Sequence, residues 1–202
     1  MSLKDILQIT SAYRYFTHLI GGMEVRRFWI EKYVRPWEGA RLLDIGCGPA
    51  DMLEFLPNVE YVGFDANSRY VSAAQKRWGA SGTFVHRTIE FNCSADRFTD
   101  FDLVIAFGVL HHLDDQQALA LTSLAHAALR IGGRLITLDG CCRDRISPIA
   151  RFLLKHDRGK FIRKEPEYLE LVRNNFHDLK VSYDVGPLRV PYSAVVLECT
   201  KH

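Results

Sequence analysis

The sequence lacks several features that would place it in a specialised class of protein. It has no apolar run that approaches the roughly 18–20 residues needed to span a membrane. Its N-terminus reads Met-Ser-Leu-Lys-Asp-Ile and has no signal-peptide core. Its 5 cysteines are odd in number and form no CxxC motif, which argues against a disulfide framework and a zinc site. We therefore expect a cytoplasmic protein without a metal site.

Charge and length are also unremarkable, and they bound what the chain can be. A net charge of +2 is too small to argue for a nucleic-acid partner by itself. The 202 residues suit a single domain with a proper core, and the 48% hydrophobic and 25% charged residues match an ordinary globular protein. Neither quantity indicates an oligomeric state.

One stretch, Arg41 to Ala50, organises the rest of the chain. The apolar run Leu42–Ile45 predicts a buried strand, and Gly46 and Gly48 predict a turn that allows positive φ and close approach of a ligand. A second strand, over 61–64, ends in Asp65, which lies 19 residues after Gly46. A glycine turn followed by a carboxylate at this distance is typical of folds that hold the ribose of a nucleotide.

A third glycine is missing from this turn, which argues against a dinucleotide as the ligand. The dinucleotide fingerprint places that glycine at the position occupied here by Asp51, whose charge would oppose a pyrophosphate. Asp44, just before the first glycine, also suits a cationic ligand better than an anionic one.

The run from Leu43 to Ala50 resembles the first motif of class I S-adenosylmethionine-dependent methyltransferases. The segment after a fourth predicted strand, Gly108 to Leu113, resembles the matching motif of the type-11 small-molecule group. The resemblance covers about residues 41–140. It implies S-adenosyl-L-methionine as cofactor, with these residues in contact with it: Asp44, Gly46, Cys47, Gly48, Asp65, Ala66, Thr88, Ile89 and Phe107. Thr88-Ile89-Glu90 departs from the commoner Gly-Asp-Ala pattern, so the polar adenine contact is left between Thr88 and Glu90.

The order of the predicted elements indicates an α/β fold. Its sheet is a doubly wound, mostly parallel sheet of seven strands, the Rossmann-like methyltransferase fold, closed by an antiparallel C-terminal hairpin. We expect a single domain with a helical cap over 1–35, a cofactor-binding core over 41–140, a variable acceptor-side insertion over 141–176 and the hairpin over 178–202. Predicted helices cover 3–20, 23–33, the segment from 51, 68–79, 115–130, 146–154 and 165–176. Predicted strands cover 83–87, 102–107, 134–138, 179–185 and 194–200.

His111 is the candidate catalytic residue, because it follows the end of the fourth strand, where ligands bind in such sheets. A hydroxyl acceptor must lose a proton, and histidine titrates near neutral pH, which suits a general base. His112 is expected to be packed or hydrogen-bonded behind it, although both histidines could instead be structural. Asp139 is expected to cap a turn with Gly140 rather than to face the pocket.

The segment 143–164 is rich in cations and falls where the family places acceptor-recognition elements. An anionic acceptor, or a lipid-linked one at a membrane surface, would fit it, and so would a merely solvated face. Its basic residues are Arg143, Arg145, Arg151, Lys155, Arg158, Lys160, Arg163 and Lys164.

The leading interpretation is a small-molecule methyltransferase. An RNA methyltransferase and a non-catalytic cofactor-binding scaffold are the alternatives. Against a nucleic-acid substrate, the fourth strand ends in Ala-Phe-Gly-Val-Leu, not the Asn/Asp-Pro-Pro-Tyr/Phe pattern of base-amine methyltransferases.

Overall fold

Seven strands and five α-helices make up the described part of the chain. The computed structural model describes residues 22–89, 98–157 and 159–202. Its strands are β1 (Arg41–Ile45), β2 (Glu60–Asp65), β3 (Gly82–His86), β4 (Phe101–Phe107), β5 (Leu129–Gly140), β6 (Asp178–Ser182) and β7 (Ala194–Thr200). Its α-helices are α1 (Gly22–Trp29), α2 (Ser68–Trp78), α3 (Asp115–Ala128), α4 (Pro148–Lys155) and α5 (Glu165–Arg173). A π-helical turn (Ile30–Val34) and two 3-10 helices (Asp51–Phe55 and Leu110–His112) complete them. The predicted helix over 3–20 lies outside the described residues.

The strands form one sheet in the order β3-β2-β1-β4-β5-β7-β6. The first five strands run parallel, whereas β7 runs antiparallel to both β5 and β6. The predicted seven-stranded sheet with an antiparallel C-terminal hairpin is therefore confirmed. In β1, Leu42, Leu43 and Ile45 are buried, as expected for a parallel strand covered on both faces.

Helices cover both faces of the sheet. On one face, Leu121 and Leu124 of α3 and Tyr168 of α5 join the core. On the other face, Ile30 and Tyr33 of the π-helical turn and Ala74 of α2 join a second cluster. This two-sided packing leaves the carboxyl ends of the parallel strands as the edge where loops can form a site.

Two element boundaries differ from prediction for physical reasons. The segment after the glycine turn is only a five-residue 3-10 helix, because Leu56 precedes Pro57 and is extended, with ψ 144. Helix α3 ends at Ala128, two residues earlier than predicted, because Leu129 is already extended and pairs with Phe101 of β4. The capping box of Asp114 and Gln117 at the start of α3 is confirmed.

The ends of two later elements were also predicted too far along the chain. Helix α5 ends at Arg173 and strand β6 ends at Ser182. After β6 the backbone N–H of Gly186 donates to Asp184 Oδ1 at 3.1 Å, which turns the chain out of the sheet. None of the helices in the described residues has the length and apolar character needed to cross a membrane.

Candidate active site

A cavity of about 410 Å³ opens at the carboxyl ends of β1, β4 and β5. These strands are neighbours in the sheet, so the loops that follow them meet at one place. The size lies within the usual range for small-molecule sites. The described lining combines the three loops with α1, the end of α4 and the segment before β7. Its apolar members include Val25, Trp29, Pro49, Met52, Phe107, Leu138, Val185, Leu188 and Ala194.

Helix α1 closes one side of this cavity. The indole ring of its residue Trp29 packs edge-on against the ring of Phe107, with the ring centroids 5.9 Å apart. The same indole donates a hydrogen bond from Nε1 to Val185 O at 3.0 Å. The described part of the predicted N-terminal cap therefore contributes directly to the lining, since Gly22, Val25 and Arg26 line it too.

The glycine turn between β1 and the first 3-10 helix is held tightly against β2. Gly46 has φ +74 and Gly48 has φ +55, a region that other residues rarely adopt. A Cβ on Gly46 would lie 2.6 Å from Val109 Cγ2, so the turn also packs closely on the loop after β4. The backbone N–H groups of Gly46 and Cys47 both donate to Phe64 O, at 2.8 and 3.0 Å.

Asp65 fixes the same turn from the end of β2. Its Oδ2 accepts a hydrogen bond from Gly48 N at 2.9 Å, and its Oδ1 accepts one from Asn67 N at 2.7 Å. Burial raises the pKa of Asp65, and these two backbone donors offset part of that effect. A carboxylate has about four lone-pair positions, so both oxygens can still accept from ribose hydroxyls.

Asp44 brings a buried carboxyl to the cavity wall. It is 4% exposed, and its Oδ2 accepts a hydrogen bond from the Tyr61 hydroxyl at 2.6 Å. Burial raises the pKa of Asp44 to about 7; the Tyr61 hydrogen bond lowers it, and the charge of Asp65 raises it further. A cation bound beside Asp44 would favour its ionised form, so this wall fits a cationic ligand.

Asp51 also lines the cavity, but arginines offset its charge. Arg26 Nη2 lies 3.4 Å from Asp51 Oδ2, and Arg77 Nη1 lies 2.7 Å from Asp51 Oδ1. The sequence argument that Asp51 would repel a pyrophosphate is weaker in this setting. The argument from Asp44 does not depend on it.

His111 forms a buried dyad with Asp139. The residue is 6% exposed and lines the cavity. Its Nδ1 lies 2.9 Å from Asp139 Oδ1, which also accepts from the His111 backbone N–H at 3.2 Å. Asp139 is itself 1% exposed. Its expected role as a turn cap with Gly140 is wrong, because β5 continues through Gly140 and directs the carboxylate to the loop after β4.

A second carboxylate faces the other ring nitrogen of His111. Asp157 Oδ1 lies 3.5 Å from His111 Nε2, while Asp157 Oδ2 accepts a hydrogen bond from the Tyr192 hydroxyl at 2.8 Å. Burial lowers the pKa of His111, but the hydrogen bond to Asp139 and the charges of Asp139 and Asp157 outweigh it, so the pKa is raised overall. Sequence reasoning missed Asp157 and Tyr192, since neither belongs to a local motif.

The ring of His112 lies beside that of His111 rather than buried behind it, with the ring centroids 4.2 Å apart. His112 is exposed. Both histidines line the cavity. The two histidines are the last two residues of the short 3-10 helix Leu110–His112.

Arg163, one of the cations in 143–164, is structural. It is 7% exposed and donates to Leu110 O at 2.9 Å and Leu113 O at 2.8 Å, which holds the ends of the histidine loop. Its Nη2 also lies 2.7 Å from Asp115 Oδ1. The lining drawn from the described part of this segment is His156 and Asp157, and none of its described lysines or arginines is among it. Arg158 lies outside the described residues.

The structure brings together only some of the residues predicted to contact the cofactor. Asp44, Gly46, Cys47 and Phe107 line the cavity together with His111. Gly48 supports the site by its bond to Asp65. The remaining predicted contacts lie outside the lining of this cavity, at the ends of β2 and β3: Asp65, Ala66, Thr88 and Ile89. Thr88 and Ala66 are exposed, whereas Ile89 is half-buried against the core.

Comparison with known proteins gives this arrangement a family. A family model for a methyltransferase domain matches residues 43–135, which include the glycine turn and the histidine loop. The ubiquinone biosynthesis O-methyltransferase of Sinorhizobium medicae is 32% identical over 142 residues, covering 69% of this chain and 56% of that protein. This chain belongs to the class I S-adenosylmethionine-dependent methyltransferases. The cofactor of these methyltransferases is S-adenosyl-L-methionine.

Solved structures of other methyltransferases share the fold. A TehB-like methyltransferase from Corynebacterium glutamicum has a TM-score of 0.71 at 18% identity and covers 100% of both chains. The phosphoethanolamine N-methyltransferase 2 of Haemonchus contortus, in complex with S-adenosyl-L-methionine, has a TM-score of 0.69 at 17% identity, covering 100% of this chain and 60% of that one. The chain spans little more than half the length of the first of the curated relatives it matches.

The residues present fit that cofactor. A buried carboxyl, Asp44, lies on the cavity wall where a cationic ligand would be favoured. Asp65, with lone pairs still open, stands beside the turn where the resemblance places the ribose. Among the described residues there is no group of three or more histidines, cysteines or carboxylates placed to hold a metal ion.

Proposed function

We propose that this protein transfers a methyl group from S-adenosyl-L-methionine to a hydroxyl oxygen of a small-molecule acceptor. The observation that carries the proposal is the His111–Asp139 dyad, which lines the same cavity as Asp44 and the glycine turn. The O-methyltransferase name of the Sinorhizobium medicae relative supports the same type of acceptor.

The dyad gives His111 the form that a general base needs. When Nδ1–H donates to Asp139, the lone pair of a neutral imidazole is at Nε2, which lies 3.5 Å from Oδ1 of Asp157, a residue that lines the cavity. S-adenosyl-L-methionine supplies an electrophilic methyl group on its sulfonium. With that cofactor bound, His111 Nε2 would take the hydroxyl proton, and the acceptor oxygen would be left free to receive the methyl group.

The cavity wall indicates the kind of acceptor body that fits. Trp29, Phe107 and Leu188 present apolar surface to the cavity. We therefore propose an acceptor with an apolar, ring-sized body and at least one hydroxyl.

An anionic group on the acceptor would find cations near His156, next to the cavity. Helix α4 carries exposed Arg151 and Lys155, and the ring of its exposed Phe152 lies 4.1 Å from that of His156, which lines the cavity. These side chains lead us to propose, more specifically, that the acceptor is anionic or linked to a lipid.

The test uses acceptor pairs that differ only in one group, a phenol and the matching aniline, with S-adenosyl-L-methionine labelled in its methyl group. We expect label on the phenol oxygen. In His111→Gln, turnover should fall by about 10²–10⁴, the usual contribution of a general base, with unchanged affinity for S-adenosylhomocysteine.

His177→Gln is the matched control, because His177 is exposed on the turn between α5 and β6. Full turnover in His111→Gln, or methylation of anilines alone, would contradict the proposal. Tight cofactor binding with no methylation of any hydroxyl would favour the scaffold alternative.

A further inference from the structure

The segment that follows α4 is seated directly on His111. A Cβ on Gly159 would lie 2.2 Å from His111 Cδ2, so this glycine packs against the imidazole face. Two residues later, Phe161 N donates to His111 O at 2.9 Å. The segment that carries Asp157 therefore contacts both the side chain and the backbone of His111, and these contacts hold Asp157 next to it.

Two hydrogen bonds also orient the carboxylate of Asp157. Its Oδ1 accepts from Gly159 N at 2.8 Å, and its Oδ2 accepts from the Tyr192 hydroxyl at 2.8 Å. Its side chain is 9% exposed. Both oxygens are thus fixed, and Oδ1 is fixed at 3.5 Å from His111 Nε2.

This arrangement conflicts with a base that is ready to act. Two carboxylates bracket the imidazole, Asp139 at Nδ1 and Asp157 at Nε2. The positive charge of Arg163, from the segment before α5, opposes the effect of these carboxylates and lowers the pKa of His111. The ring of His112 lies beside His111. A protonated imidazole between two carboxylates has no lone pair with which to accept a proton from an acceptor hydroxyl.

We propose that Asp157 is a positioning residue for His111: it pairs with Nε2 while the cavity is empty and yields that atom to the acceptor hydroxyl. The proposal rests on the proposed function, in which Nε2 is the atom that takes the proton. Tyr192 holds Asp157 in the paired position, and both side chains line the cavity, where an entering acceptor meets them. Once the acceptor hydroxyl displaces Asp157, His111 gives its Nε2 proton to solvent and the freed lone pair can accept the hydroxyl proton.

The first test needs no methyl acceptor. The imidazole of His111 is titrated by NMR in the wild type, Asp157→Asn and Tyr192→Phe, with its signal assigned from His111→Gln. The expected result is a midpoint at lower pH in Asp157→Asn and a smaller movement in the same direction in Tyr192→Phe. Asp144→Asn is the control, because Asp144 has a 96% exposed side chain, and its midpoint should not move.

The second test separates the empty from the occupied cavity. The pH profile of kcat/KM reports groups in the free enzyme, and that of kcat reports groups in the complex. On the acidic limb, kcat/KM is expressed as a fraction of its plateau value. This fraction should be about tenfold higher in Asp157→Asn than in wild type, because loss of a nearby opposite charge typically lowers the pKa of a histidine by about one unit. Its kcat limb should stay where it is in wild type.

An unchanged His111 midpoint in both Asp157→Asn and Tyr192→Phe would overturn the inference, and so would equal movement of both limbs. Full turnover in His111→Gln would instead overturn the proposed function and leave the titration result intact. The two failures are therefore distinguishable. If Asp157→Asn does not fold, Tyr192→Phe, which removes only the hydroxyl that holds Asp157, gives the same answer.

Discussion

Cofactor affinity should depend on pH through Asp44. With the cavity empty, the pKa of this buried carboxyl is about 7, so it is mostly protonated at pH 6. A cationic ligand close to it should lower that pKa by about two pH units, within the range for a nearby opposite charge. The Kd for S-adenosyl-L-methionine should therefore rise about 20-fold when pH falls from 7.5 to 5.5.

The assay is isothermal titration calorimetry with S-adenosyl-L-methionine across that range, in buffers of different ionisation enthalpy. Binding at pH 6 should release about 0.8 proton, because Asp44 is largely protonated before binding and largely ionised after it. The proton count is the sharper result, since it does not depend on how tightly the cofactor binds.

Asp44→Asn is the control for both quantities. Its Kd should be weaker but nearly independent of pH, because asparagine keeps an acceptor for the Tyr61 hydroxyl and does not titrate. A flat Kd and no proton release in the wild type would refute the assignment of Asp44 as the carboxyl that faces the cationic ligand.

Replacing the buried carboxyl of Asp44 should raise the free energy of unfolding at alkaline pH. A folded-state pKa raised from 3.8 to about 7 contributes stability that is present below pH 3.8 and lost as pH rises through 7. At pH 8, Asp44→Asn should therefore unfold with a free energy about 4 kcal/mol higher than wild type, measured by urea denaturation. Equal stability of the two proteins at pH 8 would mean that Asp44 is not destabilised by burial.

Three further predictions concern residues around the cavity. Asp139→Asn should lower turnover about 10²-fold with cofactor affinity unchanged, because Nδ1–H loses its charged partner; wild-type turnover would show that the dyad is incidental. Gly46→Ala should destabilise the fold by about 1–3 kcal/mol in urea denaturation, since φ is +74 and Val109 Cγ2 would lie 2.6 Å away; Val109→Ala should recover part of the loss, and no loss at all would contradict the packing. Charge reversal at Arg151 and Lys155 should raise KM for anionic acceptors and not for neutral ones; equal KM values would remove α4 from acceptor recognition.

Sequence reasoning reached the sheet and the glycine turn because their determinants are local. Leu42, Leu43 and Ile45 form a short apolar run that favours a buried strand, and Gly46 allows the chain to turn where that run ends. The boundary at Leu129 was wrong for the opposite reason. Helical periodicity continues past it, but its pairing with Phe101 of β4, which is a tertiary contact, starts β5 there.

The charged surroundings of His111 were also beyond local reasoning. Asp139 lies 28 residues from His111 along the chain, and Tyr192 lies 35 residues from Asp157. No spacing rule links these positions; the sheet order brings β4 beside β5 and β5 beside β7. Asp139 stands at a strand end next to the histidine loop, a position that could have suggested its role. Asp157 and Tyr192 offered no such signal.

The most direct test of the account is how the defect of His111→Gln depends on the acidity of the acceptor. Single-turnover methyl transfer is measured at one pH with two phenols of similar size. One has the pKa near 10 of an ordinary phenol, and the other carries ring substituents that ionise it at the assay pH. The account predicts a loss of at least about 10²-fold for the weak acid and only a few-fold for the ionised phenol, which needs no base. Equal losses for both phenols would contradict the assignment of His111 as the general base.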